Sequence, residues 1–347
     1  MNLWERIAGF FASNAQQLLW LWLPDGEAEG ALRPRQDYFE LWLTHSFLKR
    51  EVSWLKTRYP AAHVSVRMNV AGETRTLTRL ARPSEGMVGP GVWANFPVTG
   101  PIPYQGGTVE IEAGLTTLEQ SSMLGAAVEV LGDFSGLVTP PLSEALRIAD
   151  RVAVGVQKLL DAGGGDIVLG LHHAYGPPGS GQNELAPGHL AIIGASAGEL
   201  TASRLVVEGS RIHRLDQDGS SSRALEGYDY LLLGVKSISE RSDWEFPRFE
   251  KLIQDAIKAH FAGETVSFKR HRDDVLAEVL NSPDLTEPDR ERVATAILAK
   301  LELATEVSNR SDMGPLPTLT EIVETYGLPP DVAGTGGRLS LADLTRD

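Results

Sequence analysis

The stretch His63-Val64-Ser65-Val66-Arg67-Met68-Asn69-Val70 decides the fold class of this chain of 347 residues. Valine and methionine alternate with polar residues, so an extended strand here has one buried face and one solvated face. Ala71-Gly72 then forms a tight turn into Thr74–Leu80, whose β-branched residues favour a second strand. Because so short a connection joins antiparallel neighbours, the stretch predicts an antiparallel hairpin.

The rest of the chain supplies further strands and several helices. Strands joined by short, turn-rich links are predicted over Thr108–Ala113, Asp166–Tyr175, Leu190–Ile193, Arg204–Val207, Arg211–Leu215 and Tyr228–Ile238. Apolar residues at helical spacing predict helices over residues 38–57, 115–131 and 143–159, and over several segments between Pro247 and Val307. Thr286 and Asp289 predict a capping box at the start of the last helix.

These elements predict an α+β protein with antiparallel, β-sandwich-like sheets, packed helices and a helical C-terminal extension. Residues 1–60 are predicted to be an N-terminal helical segment that packs on the core. Residues 61–245 form the strand-rich core, with inserted helices in 115–160. C-terminal helices follow over 246–310, and a flexible tail rich in proline and glycine over 311–347.

Composition restricts the chemistry and the partners of the protein. The chain contains no cysteine, which excludes disulfides, thiolate metal sites and cysteine nucleophiles, and fits a reducing cytoplasm. Its formal net charge of -14 opposes the phosphate backbone, so nucleic acid is not an expected partner. Composition therefore favours an acidic, cytoplasmic globular protein.

One string spells a catalytic motif. Gly194-Ala195-Ser196-Ala197-Gly198 follows an apolar strand and resembles the nucleophile elbow of α/β-hydrolases, which implies Ser196 as a nucleophile. The elbow needs a long helix directly after it, but Glu199–Ser203 is short and the strand-like Arg204–Val207 follows at once. We interpret the string as a turn between strands, with Ser196 as the single weak catalytic candidate.

Two further segments suggest ligand sites on first reading. His172 and His173 are metal candidates, but adjacent side chains of a strand point to opposite faces, and no other residues complete a known ligand spacing. Gly176–Gly181 lacks the Gly-Lys-Ser/Thr ending of a phosphate loop and contains two prolines that remove donors. No metal and no cofactor are therefore predicted.

The N-terminal segment is the first candidate for an interaction. Leu18–Leu23 is apolar and contains Trp20 and Trp22, but the run is too short to span a bilayer and has no basic leader. Three interpretations remain: burial in the core, an interface with a partner or a second copy, and an interfacial membrane helix within residues 1–23.

Two C-terminal segments are also interaction candidates. Trp244 lies in the charged and aromatic segment Arg241–Pro247, which is equally explained as a helix N-terminal corner with Trp244 packed inward. In the tail, Leu319, Ile322 and Tyr326 have the spacing of a short helix that docks in a partner's groove or packs on its own domain.

The leading functional hypothesis is a non-catalytic, cytoplasmic protein-interaction or regulatory and scaffold component, with a protein partner or a homo-oligomer. It is motivated by the lack of a complete catalytic constellation and by the tryptophan-rich N-terminal segment. One alternative is a serine hydrolase that uses Ser196. The other is a membrane-associating protein that acts through residues 1–23.

Overall fold

The structure is a computed structural model, and its described residues fall in two compact units. They are residues 9–10, 12–14, 17–24, 30–49, 52–53, 56–70, 72–81, 93–119, 141–147, 149, 154, 158, 167–180, 183–196, 198–200 and 204–311. The first unit, called the sheet unit, comprises Met1–Phe246 and Glu278–Val293. The second, called the helical unit, comprises Pro247–Ala277 and Ala294–Asp347.

Strands dominate the sheet unit. Within the described residues they are β1 (Leu19–Pro24), β2 (Tyr38–Phe47), β3 (Val52–Ser53), β4 (Lys56–Val70), β5 (Glu73–Ala81), β6 (Trp93–Pro97), β7 (Ile102–Pro103), β8 (Val109–Glu119), β9 (Ile167–Tyr175), β10 (Gly188–Ile193), β11 (Leu205–Glu208), β12 (Arg211–Leu215), β13 (Ser222–Ala224) and β14 (Tyr230–Ile238). The hairpin predicted from His63–Val70 is confirmed as β4 and β5, in which Val70 lies opposite Glu73.

The strands form three antiparallel sheets. A six-stranded sheet has the order β1-β10-β14-β2-β6, with β7 also paired to β2. A five-stranded sheet has the order β3-β4-β8-β9, with β5 also paired to β4, and a three-stranded sheet has the order β11-β12-β13. Together with the C-terminal helices, these sheets confirm the predicted α+β class with antiparallel, sandwich-like sheets.

The six-stranded sheet has an apolar core on each of its faces. Leu231 and Leu233 of β14 face the first core, which they share with residues of the five-stranded sheet such as Val64 and Ile111. Leu232, between them, faces the second core, where the three-stranded sheet contributes residues such as Ile212. Alternate side chains of one strand therefore serve two cores, because successive residues point to opposite faces.

The helix predicted over residues 38–57 is wrong. Residues 38–47 form β2, which pairs with β14 from Tyr38 opposite Ile238 to Phe47 opposite Tyr230. Phe39, Leu41 and Leu43 lie in the first core, a spacing of two that competes with the helical spacing. Aromatic residues suit a half-buried pleated surface, and the ladder to β14 satisfies the backbone. The N-terminal segment is thus not helical over residues 19–24 and 38–47.

The inserted helices of 115–160 are described only in part. Leu115–Glu119 belongs to β8, so the helix predicted to begin at Leu115 is wrong over these five residues, and residues 120–131 lie outside the described residues. Residues 142–147 are helical as predicted, and Leu142 and Ala149 pack in the first core. These residues therefore cover part of the sandwich.

Three helices follow the strands. They are α1 (Pro247–Phe261), α2 (Thr265–Leu280) and α3 (Glu287–Ser311). The predicted start of the last helix is confirmed, since Thr286 precedes α3 and its carbonyl accepts a hydrogen bond from the Arg290 amide at 3.0 Å. The predicted reciprocal capping box is not formed, because the Asp289 carboxylate has other partners.

Asp289 instead joins strands of the sheet unit to the first turn of α3. Its Oδ2 accepts the Tyr38 hydroxyl at 2.7 Å and the Arg241 amide at 3.0 Å, and its Oδ1 accepts Nε of Arg292 at 2.7 Å. The Tyr38 hydroxyl in turn accepts the Thr286 amide at 3.0 Å. Burial raises the pKa of Tyr38, and this keeps the phenol protonated as the donor to Asp289.

Candidate functional site

Strand β1 lies at the edge of the six-stranded sheet. Its single strand neighbour within the described residues is β10, with Leu19 opposite Ile193 and Pro24 opposite Gly188. The backbone groups on its other side therefore face away from the sheet without a ladder partner among these residues. An edge of this kind can pair with a further strand. We call it the free edge of β1.

The side chains of β1 are uncharged and partly accessible. Trp20 is 42% exposed, and Leu19, Leu21 and Trp22 are half-buried. Natural sheet edges commonly carry lysines, other charges or bulges that oppose the addition of a strand. In β1 the single such feature is Pro24, which lies at the end of the strand. The free edge therefore combines an available backbone with apolar side chains.

Aromatic contacts with β9 hold the two tryptophans in place. The ring of Trp20 lies 5.0 Å from that of His173, and the ring of Trp22 lies 5.9 Å from that of Tyr175. His173 and Tyr175 also contact each other edge to face at 4.6 Å. Burial, followed by the charge of His172, lowers the pKa of His173 and keeps its ring neutral. Trp20 and Trp22 are thus positioned before any partner binds.

His172 lies on the opposite face of β9 from His173. Its Nδ1 is 2.8 Å from Oε1 of Glu112, and Arg67 forms an ion pair with neighbouring Glu110 at 3.3 Å. Burial raises the pKa of Glu112, while the contact with His172 opposes that shift. The two histidines cannot ligate one ion from opposite faces. Within the described part of the chain, no group of three or more histidine, aspartate or glutamate residues is placed to hold a metal.

Ser196 lies in a turn between two strands, as the sequence interpretation proposed. Its amide and hydroxyl donate to Oε2 of Glu199 at 2.7 and 2.9 Å. The bond from the Ser196 amide, and then that from its hydroxyl, lower the pKa of Glu199. This pair is a capping arrangement, in which the carboxylate holds the turn. A cavity of about 320 Å³ lies beside it and is also lined by Asn14 and Gln17.

The segment that contains Trp244 forms a corner around a buried arginine. The Arg241 side chain is 1% exposed, and its Nε and Nη2 donate to the Asp243 carboxylate at 2.9 and 2.8 Å. These hydrogen bonds lower the pKa of Asp243. The guanidinium also lies 4.7 Å from the ring centroid of Phe246. Phe246 is the buried aromatic residue of the corner, whereas Trp244 is half-buried.

The sequence identified Trp20 and Trp22 as interaction candidates but assigned them to a helical segment. Alternating leucine and tryptophan over five residues, closed by a proline as the sixth, is a strand signal that could have located β1. The other predicted interaction residues, Leu319, Ile322 and Tyr326, lie outside the described residues. The structure therefore brings together two of the predicted interaction residues, at the free edge of β1.

Comparisons with models of known protein families, with curated proteins and with solved structures find no match to this chain. Among the described residues, no helix is long and apolar enough to cross a membrane. The free edge of β1 is consequently the feature that best indicates a function.

Proposed function

We propose that the protein is a non-catalytic protein-interaction component of the cytoplasm, with a regulatory or scaffold role, and that it receives its partner along the free edge of β1. The observation that supports the proposal best is a strand edge that has no ladder partner among the described residues and combines an exposed tryptophan with no charge. The lack of cysteine is compatible with a reducing compartment.

Strand addition at this edge would use two kinds of contact. Main-chain hydrogen bonds to the added strand supply affinity, and the rows of side chains on each face supply selectivity. Trp20 is a suitable anchor because tryptophan is enriched among the residues that contribute most to protein interfaces. An extended, uncharged segment that presents apolar side chains on both faces therefore suits the edge best.

The test is isolation of the tagged full-length protein from its native host, in three forms. We compare wild type with Trp20→Lys and with Phe261→Lys, a matched change at an aromatic residue of the helical unit that is 57% exposed. We expect one protein, recovered in stoichiometric amount with wild type and Phe261→Lys, to be lost from Trp20→Lys. Equal recovery with all three forms would contradict the proposed role of the edge.

A second candidate function is a serine hydrolase that uses Ser196, which the adjoining cavity of about 320 Å³ favours. A serine nucleophile needs a neighbouring base, and the hydroxyl of Ser196 is bonded to the Glu199 carboxylate. A fluorophosphonate probe that labels the wild type but not Ser196→Ala would support this candidate. Equal or absent labelling of the two would eliminate it.

The third candidate is association with a membrane through residues 1–23, for which the exposure of Trp20 is the supporting observation. Tryptophan favours the interfacial region of a bilayer. Co-sedimentation with anionic vesicles that is lost when residues 1–23 are deleted, in a chain that still folds, would support it. Absence of co-sedimentation of the wild type would eliminate it.

A further inference from the structure

We propose that a second copy of this chain occupies the free edge of β1 and forms a two-fold symmetric dimer, with antiparallel β1 strands centred on Leu21. The inference rests on the proposed function in that it uses the same edge, and it names the partner. The dimer joins the six-stranded sheets of both copies into one continuous sheet.

The order of residues in β1 is the first argument. Leu19-Trp20-Leu21-Trp22-Leu23 reads the same in both directions. In an antiparallel pair centred on Leu21, Leu19 lies opposite the second Leu23, and Trp20 lies opposite the second Trp22. Leucine therefore meets leucine and tryptophan meets tryptophan at every position, as a self-complementary two-fold interface requires.

The faces of the sheet also agree with this pairing. Residues directly opposite each other in an antiparallel pair project to the same face of the sheet. Leu23 is part of the second core and Leu19 and Leu21 pack against it, whereas Trp22 packs against the first core and Trp20 contacts His173 on that same side. The leucine row and the tryptophan row of one copy thus continue into the same rows of the other.

Charge along the chain favours the antiparallel direction. The sequence that follows β1 contains Asp25, Glu27 and Glu29, whereas residues 9–18 before it are uncharged. An antiparallel pair sets the acidic end of one β1 beside the uncharged end of the other. A parallel pair would set the two acidic ends side by side, which is unfavourable in a chain with a net charge of -14.

The size of the contact sets its expected strength. A pair of six-residue strands buries less than the roughly 1,200 Å² of total area at the lower limit of standard interfaces. We therefore expect dissociation in the micromolar range. In the dimer, the exposed ring of Trp20 becomes covered, as do the outer backbone groups of each β1, which have no ladder partner among the described residues.

The test uses the absence of cysteine from the chain. In full-length Leu21→Cys the introduced thiol is unique, and the two thiols of a dimer lie opposite each other on the two-fold axis. We expect a short bis-maleimide to join two Leu21→Cys chains efficiently at concentrations where wild type sediments as a dimer. Arg75→Cys on β5 is the matched control at an exposed strand position and should crosslink only at background level.

Each outcome has a distinct meaning. Crosslinking of Leu21→Cys at the level of Arg75→Cys, together with monomeric sedimentation of wild type at about 100 µM, would overturn the dimer. If the wild type is isolated with a different protein that is absent from Trp20→Lys, the proposed function stands and only the identity of the partner is wrong. If circular dichroism shows that Leu21→Cys is unfolded, sedimentation of wild type and Trp20→Lys tests the dimer instead. A dimer is then expected only for wild type.

Discussion

Strands β1 and β5 both have an outer edge, but they differ in charge. β5 carries Glu73, Arg75 and Arg79 among its nine residues, and Arg75 forms an exposed ion pair with Glu73. β1 carries no ionisable residue among its six. Within the described residues, neither strand has a ladder partner on its outer side. The same exposed backbone is therefore combined with opposite side-chain chemistry.

The difference indicates which edge is suited to pairing. Charged side chains along an edge must be desolvated or brought beside like charges when a second strand is added, and this opposes pairing. An uncharged edge meets no such cost. We therefore expect the protein to associate through β1 and β5 to resist association.

The largest expected effect comes from a charge placed in the centre of β1. In a dimer of Leu21→Lys two ammonium groups lie opposite each other, as do two carboxylates in Leu21→Glu, so each variant alone should lose at least about 100-fold in dimer affinity. An equimolar mixture pairs lysine with glutamate and should recover most of the association. Sedimentation velocity measures both effects, and a mixture that stays monomeric would contradict the Leu21-centred register.

The pH dependence should separate the stability of the sheets from the pairing of β1. His45 in β2 is 2% exposed, its ring stacks on Tyr230 at 5.4 Å, and its ring nitrogens lack hydrogen-bond partners within the described residues. Burial, followed by the charge of Arg211, lowers its pKa from 6.5 to about 4. Between these values the unfolded chain binds a proton that the folded chain excludes, so stability falls as pH falls.

The expected loss from this group is about 2 kcal/mol between pH 7 and pH 5. Urea unfolding of wild type and His45→Phe measures it, and the variant should lose correspondingly less stability over this interval. The dissociation constant of the dimer should change little while the protein remains folded, because β1 has no titratable side chain and burial lowers the pKa of His173, whose ring contacts Trp20. Identical pH profiles of stability for the two proteins would contradict the assignment to His45.

A smaller effect is expected when the two exposed charges of β5, Glu73 and Arg75, are removed and Arg79 is kept. Glu73 and Arg75 are exposed, so the double change Glu73→Thr with Arg75→Thr should leave the fold intact. We expect self-association to increase about tenfold in a Leu21→Lys background, in which pairing through β1 is blocked. If the triple variant stays as monomeric as Leu21→Lys alone in sedimentation, then charge does not protect β5.

The smallest effect is expected from salt. β1 contains no charge, so the dissociation constant of the dimer should fall by only about twofold from low to physiological ionic strength, as salt screens the repulsion between two chains of net charge -14. Dilution calorimetry in the two buffers measures this constant directly. A change of tenfold or more would indicate that charged residues outside β1 form part of the interface.

A strand whose residues alternate in polarity was predictable from the sequence, and strands with apolar residues on both faces were harder. His63–Val70 alternates in polarity, and its strand was identified, but the expected solvated face is wrong at His63 and Ser65, which are buried. β2 has apolar residues on both faces, so a helical spacing fitted it equally well. In β1, leucine and tryptophan alternate in size but not in polarity, so the sequence pattern did not reveal a strand. The partner strand β10 is also distant in sequence, with Ile193 opposite Leu19.

Long-range contacts also explain the errors at the predicted sites. Asp289 was assigned to a local capping box, but its carboxylate binds the hydroxyl of Tyr38, which is 251 residues away in the chain. Tryptophan content alone identified Trp20 and Trp22 as interaction candidates. Their position on a free edge depends on which strand lies beside β1, and local sequence patterns do not determine that.

Hydrogen–deuterium exchange of the wild type at roughly 1 µM and 100 µM measures the pairing of β1 directly. We expect the peptide covering residues 18–24 to exchange more slowly at the higher concentration and the β5 peptide 73–81 to be unchanged. The outward-facing amides of β1 become hydrogen-bonded only when a second β1 pairs with them. Equal exchange of residues 18–24 at both concentrations would contradict pairing through β1.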